Sequence, residues 1–174
     1  MRRVLPFYAL ACGVTWLCWL PLVAFARGWS EGRPSPYWHL IGGLGPALAA
    51  ITIAALSRDG ALRRLLARLV SRPSRWVVLA VVGPVALYLG AALVVTLLGG
   101  EVDLAQTGAN AEYPGLGLGA FVIANVLFYG VGEELGWRGF ALPRLQRSMS
   151  PVRASLVIAV GWAASTMSCP GRSC

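Results

Sequence analysis

Two adjacent carboxylates, Glu133 and Glu134, stand in the phrase Gly132-Glu133-Glu134-Leu135-Gly136-Trp137-Arg138-Gly139-Phe140. The stretch before them, residues 116–131, is apolar, with Asn125 and Tyr129 as its notable uncharged polar side chains. The pair therefore sits at the end of a membrane-spanning helix or inside it. An ionisable group at the middle of a bilayer costs on the order of 3 kcal/mol, so such groups face the protein interior and take a partner. On a helix Glu134 and Arg138 share a face and can pair. Glu133 points elsewhere, with Trp137, Phe140 and Ala141 expected on its face. The two acids then occupy unlike environments, the arrangement from which acid and base roles are usually assigned. Glu133 is the expected proton-transfer group, and Glu134 with Arg138 the supporting pair. The alternative is that both glutamates begin an interfacial helix, favoured by its positive N-terminal end.

The elements that must position these residues are apolar runs. Of 174 residues, 57% are hydrophobic and 13% charged, and the mean hydropathy is +0.66. That composition excludes an ordinary soluble domain and points to a single membrane domain. The fold class expected is all-α, a polytopic transmembrane helical bundle of about five spans plus an interfacial amphipathic helix. The runs are residues 4–26, 39–56, 76–98, 115–134 and 152–167. The first is too long for a signal-peptide core and lacks a small-x-small exit, so it reads as a retained helix. Pro21 and Pro84 are expected to kink their helices. Gly42, Gly43, Gly45 and Pro46 allow close helix contact, and Gly115 with Gly119 forms a weaker small-residue pair. In residues 57–75, Leu62, Leu65, Leu66, Leu69 and Val70 recur at helical spacing among arginines, the pattern of a surface-lying helix. Asn125, two turns before Glu133, either hydrogen-bonds near the site or packs helices.

The formal net charge is +8, and all 15 basic residues are arginine. They lie between the apolar runs, where they orient the chain and meet anionic lipid. Nucleic acid is not an expected partner; the lipid bilayer is. The segments before the first run, after the second and after the fourth are arginine-rich, and the one after the third is acidic. The protein is thus expected in the cell membrane, multi-pass, with its N-terminus cytoplasmic and the glutamate pair at the cytoplasmic end of its span. Tyr37 and Trp38 read as interface anchors, and His39, the one histidine, as an interfacial residue. Cys12, Cys18, Cys169 and Cys174 have no zinc-site spacing and imply no disulfide framework.

The phrase Glu133-Glu134-Leu135-Gly136-Trp137-Arg138-Gly139-Phe140-Ala141-Leu142-Pro143-Arg144-Leu145-Gln146 resembles the first motif of the CAAX prenyl protease family, also called CPBP or Abi, a family of intramembrane endopeptidases. The resemblance implies a hydrolase that cleaves prenylated or membrane-associated peptides near the C-terminus, with Glu133 activating water and Glu134 and Arg138 completing the site. It extends to Trp162-Ala163, the start of a second motif that commonly reads Trp-Ala-x-x-His-x-x-Pro. The family's histidines stabilise the developing oxyanion or, in an older reading, bind a metal such as zinc. Here Thr166 stands where that histidine belongs, and no cofactor is expected.

Losing an oxyanion donor commonly costs about two to three orders of magnitude in rate, and the sequence stops at Cys174, before the family's third motif, so the chain is expected to be truncated and inactive. Thr166-Met167 is encoded ACN-ATG, and the codon straddling the two reads NAT, which is His when N is C. The shifted codons that follow resemble the missing His-x-x-Pro. The expected organisation is therefore residues 1–163 as the N-terminal part of a protease-like membrane domain, with residues 164–174 a frameshifted tail. A non-catalytic membrane protein, such as a bacteriocin-immunity or scaffold protein, is the alternative. A transporter fragment carrying a proton on Glu133 is a third reading.

Overall fold

The computed structural model describes residues 3–57, 59–67, 69, 75–102, 113 and 115–166. Of the proposed frameshifted tail, residues 167–174 lie outside these residues. So do Val70 and Arg58, Arg68 and Arg72 of the proposed surface helix.

The described residues form an all-α bundle. Helix α1 spans Val4–Ala26, α2 Tyr37–Gly42, α3 Gly45–Leu56, α4 Ala61–Ala67 and α5 Arg75–Leu97. Then α6 runs through Leu118–Leu145, and α7 is Pro151–Thr166. Among the described residues, three helical stretches are long and apolar enough to cross a bilayer: Val4–Ala26, Tyr37–Leu56 and Leu118–Leu145. The expected run at residues 76–98 is helical, with Val82–Leu97 as a shorter apolar helix, and α7 has 16 residues. Among the described residues of the surface helix expected over residues 57–75, Ala61–Ala67 are helical, with Ala61 and Leu65 buried and Arg63 and Arg64 exposed.

The core joins α1, α3 and α6. Phe7, Ala11, Ala47, Ala50, Leu135, Trp137 and Phe140 are all buried in it. The Phe7 ring stacks on Phe140 at 5.2 Å and meets the edge of Trp137 at 5.3 Å. Alanines on α3 let large rings from two neighbours converge on a thin helix, which is how apolar helices pack without a water-driven force between them. Outward, α5 and α6 expose Leu87, Leu93, Val122 and Ile123, as lipid-facing surfaces do.

Close contact between α6 and the α2–α3 turn rests on glycines the sequence did not single out as a pair. A Cβ on Gly132 would lie 2.6 Å from the Gly43 carbonyl oxygen, and one on Gly136 would lie 2.6 Å from the Pro46 backbone. These two glycines flank the acidic pair. By contrast, a Cβ on Gly119 would meet nothing within 4 Å, so the Gly115–Gly119 pair does not mediate packing there.

Helix α7 is tied to α1 by polar contacts. The Tyr8 hydroxyl donates to the Val157 carbonyl at 3.1 Å, and the Trp16 indole donates to the Ala164 carbonyl at 3.3 Å. These contacts bring the Trp162 face of α7 against α6.

Candidate active site

Helix α6 does not end at the glutamates. It begins at Leu118 and continues past them to Leu145. The pair therefore lies inside the helix, the second of the two placements the sequence allows, and it does not begin an interfacial helix. At about 1.5 Å per residue, Glu133 lies roughly 18 Å from the C-terminal end of its helix, at Leu145.

The local winding of α6 decides what Glu133 faces. Residues Val126–Val131 and Leu135–Ala141 form π-helical turns on either side of Gly132–Glu134. Bonding of i to i+5 underwinds a helix, and such turns often mark functional positions. In an ordinary α-helix, residues spaced at i, i+4 and i+8 drift around the axis. Underwinding holds Asn125, Tyr129 and Glu133 closer to one line, and all three border one cavity.

That cavity measures about 290 Å³ and is also lined by Trp19, His39, Tyr113, Phe121, Trp162 and Thr166. The Glu133 carboxylate is half-buried, and its Oε2 accepts a 2.8 Å hydrogen bond from the Trp162 indole N–H. The expected neighbours Trp137, Phe140 and Ala141 are instead packed in the α1–α3–α6 core. The second π-helical turn separates them from the glutamate. Glu133 thus gains its aromatic surroundings from other helices, not from its own.

Glu134 accepts a hydrogen bond from the Arg138 guanidinium, as the spacing predicts. The pair is not buried: the Arg138 and Glu134 side chains are 70% and 52% exposed. It lies outside the cavity lining, so the structure separates the two acids as expected while leaving the ion pair on the surface.

The sequence reading missed His39. Its ring borders the Glu133 cavity, with Nδ1 at 3.3 Å from the buried Tyr113 hydroxyl. The ring meets Trp19 at 4.9 Å and Tyr129 at 5.8 Å, and its carbonyl accepts from the Trp19 indole at 3.1 Å. Its position at the mouth of a helix gave no sign of this, because α1, α2 and α6 converge only through long-range packing. Asn125 borders the cavity while its Nδ2 donates to the Phe121 carbonyl at 2.9 Å. Thr166 also borders the cavity, one turn beyond Trp162, and its hydroxyl bonds to the Ala163 carbonyl at 3.0 Å.

A zinc ion does not fit this donor set. Zinc sites take at least three protein ligands from His, Cys, Asp and Glu. Among the described residues no three such groups come together.

Residues 115–169 match the family described as Rce1-like: Type II CAAX prenyl endopeptidase Rce1-like. No curated protein and no solved structure matches the chain. The matched stretch holds α6, the glutamate pair, Arg138 and α7, so the resemblance read from the motif is shown there: over residues 115–169 this chain is similar to the Type II CAAX prenyl endopeptidases.

Proposed function

We propose that this chain carries the water-activating part of a CAAX-type intramembrane endopeptidase site, with Glu133 as general base. The observation that supports it most is the Glu133 carboxylate, held by the Trp162 indole at a cavity lined from α1, α2, α6 and α7. In this reading a water bound beside Glu133 attacks the peptide carbonyl carbon and gives its proton to the carboxylate. The carbonyl oxygen takes the negative charge, the C–N bond breaks, and the proton passes to the leaving amine. A positioned base contributes about 10²–10⁴ in rate. The remaining requirement is a donor for the oxyanion. His39, steadied by Tyr113, is the imidazole in the cavity, and Thr166 occupies the position at which the family carries a histidine.

Arg138 pairs with Glu134 and keeps it apart from the reacting water. The substrate is a peptide that reaches the cavity from the membrane, prenylated or otherwise lipid-associated. The N-terminus is cytoplasmic, in keeping with arginines gathered where α1 starts and α6 ends.

Thr166 in the histidine position also favours a second reading, in which the helices form a non-catalytic binding scaffold. Cleavage of a fluorogenic prenylated peptide in proteoliposomes separates the two. The catalytic reading expects slow cleavage by the wild type, faster cleavage by Thr166→His, and none by Glu133→Gln. Glu133→Gln cleaving as fast as the wild type would remove Glu133 from the chemistry. Absence of cleavage in all three leaves the scaffold reading standing.

A further inference from the structure

A second concavity, about 410 Å³, shares no lining residue with the Glu133 cavity. It lies where the start of α1, the α3–α4 link and the end of α6 come together. Arginines enter it from separate parts of the chain: Arg3 before α1, Arg64 on α4, Arg144 in the last turn of α6 and Arg147 in the α6–α7 connector. Asp59 is the one carboxylate among its lining residues.

The Asp59 carboxylate accepts a 2.9 Å hydrogen bond from Arg3 and lies 3.6 Å from Arg64. It therefore holds two guanidiniums at the cleft without neutralising the set. Arg144 is fixed by a 2.8 Å bond to the Phe140 carbonyl, with its guanidinium 3.6 Å from the centre of the Phe140 ring. Arg147 is exposed at the mouth. Among the described residues no acidic side chain occupies the first turn of α1, whose start borders the cleft, so the positive end of that helix adds to the potential there.

Like charges brought together from separate elements repel unless an anion sits among them. Guanidinium forks match phosphate oxygens in geometry and give the stronger class of hydrogen bond. The place also matters. The cleft lies at the ends of helices long enough to cross a bilayer, which is the depth of lipid headgroups. Basic pockets between spans at that depth suit anionic headgroups.

We propose that this cleft binds a phosphate oxyanion, presented by the headgroup of an anionic phospholipid. The site is independent of peptide hydrolysis and needs only that α1 and α6 span the membrane. Bound there, the headgroup bridges α1, α4 and the α6–α7 connector and fixes their register at the surface.

The test uses the purified full chain in neutral detergent, titrated with short-chain phosphatidylglycerol, short-chain phosphatidylcholine or inorganic phosphate. Binding is read by native mass spectrometry and by thermal shift. Phosphatidylglycerol should bind saturably and at least tenfold more tightly than phosphatidylcholine. Arg64→Gln/Arg147→Gln, in exposed side chains outside the core, should weaken phosphatidylglycerol at least tenfold, since each lost charge-assisted bond is worth about one order of magnitude. Asp59→Asn, which keeps an oxygen for its 3.0 Å bond from the Ala61 N–H, should tighten binding several-fold by removing the competing carboxylate. If inorganic phosphate binds as tightly as phosphatidylglycerol, and with the same arginine dependence, a soluble anion and not a lipid is the ligand. Unchanged phosphatidylglycerol affinity in the double variant overturns the site. Unchanged or weaker affinity in Asp59→Asn also overturns it, and this arm decides if the double variant does not fold.

Discussion

The Trp162 indole N–H donates to the Glu133 carboxylate at 2.8 Å, joining α7 to α6 across the cavity. This contact sets the rotamer of the proposed base and docks α7 in the same stroke. Trp162 is 46% exposed, so removing its N–H should not open the core. Trp162→Phe is expected to lower stability by about 1 kcal/mol, the worth of a partly exposed hydrogen bond to a charged group. Thermal unfolding in detergent measures it. If cleavage is observed in the wild type, the same variant should slow it while leaving Glu133 in place.

Gly136→Ala is expected to be costly and Gly119→Ala to be tolerated. The added methyl on Gly136 would meet the Pro46 backbone, which cannot move without shifting α3, whereas the one on Gly119 would meet open space. Overpacking of this kind costs about 1–3 kcal/mol. Melting temperatures of the two variants check the contrast, and equal values would contradict the close α3–α6 approach.

A double-mutant cycle on Glu134→Gln and Arg138→Gln should return a favourable coupling of about 0.2–1 kcal/mol, the range for exposed pairs. The sequence reading has ionisable groups here facing the protein interior, where breaking an ion pair costs about 3–5 kcal/mol. The observed exposure makes the smaller value the expectation. A coupling near zero by thermal unfolding would show that the pair adds nothing to stability.

Arg3 beside Asp59 holds the Asp59 carboxyl below its ordinary value, chiefly through the Arg3 hydrogen bond. A depressed folded value means the tie favours the folded state above the ordinary Asp value of about 3.9. Its contribution is lost only as pH falls below that value and through the folded one. Carboxyl titration followed by NMR should place Asp59 below free aspartate in the wild type and move it upward in Arg3→Gln. No movement in Arg3→Gln would contradict the tie.

Thr166→His should place an imidazole on the cavity wall, one turn from Trp162. If the family's histidine supplies the oxyanion donor, cleavage should rise by about 10²–10³. A reporter-peptide assay in the same proteoliposomes measures it. A rate unchanged in a well-folded Thr166→His variant would argue that His39 already fills that role.

Local spacing determined a good deal about this protein. Apolar run lengths dictated helices, because a backbone in lipid must satisfy its own hydrogen bonds. The i, i+4 relation predicted the Glu134–Arg138 pair, since helix neighbours depend on nothing outside the helix. The motif itself led to the family matched over residues 115–169. Tertiary structure alone decided the rest. Two π-helical turns altered the register of α6, so Glu133 shares a line with Tyr129 and Asn125 and leaves Trp137 to the core. Periodicity assumes a constant winding and has no means of showing such a change. His39, Tyr113, Trp162 and Thr166 meet Glu133 from other parts of the chain, and Arg3, Arg64, Arg144 and Arg147 gather at one cleft. Those meetings depend on which faces of separate helices pack together, a property of the whole bundle that no single stretch encodes.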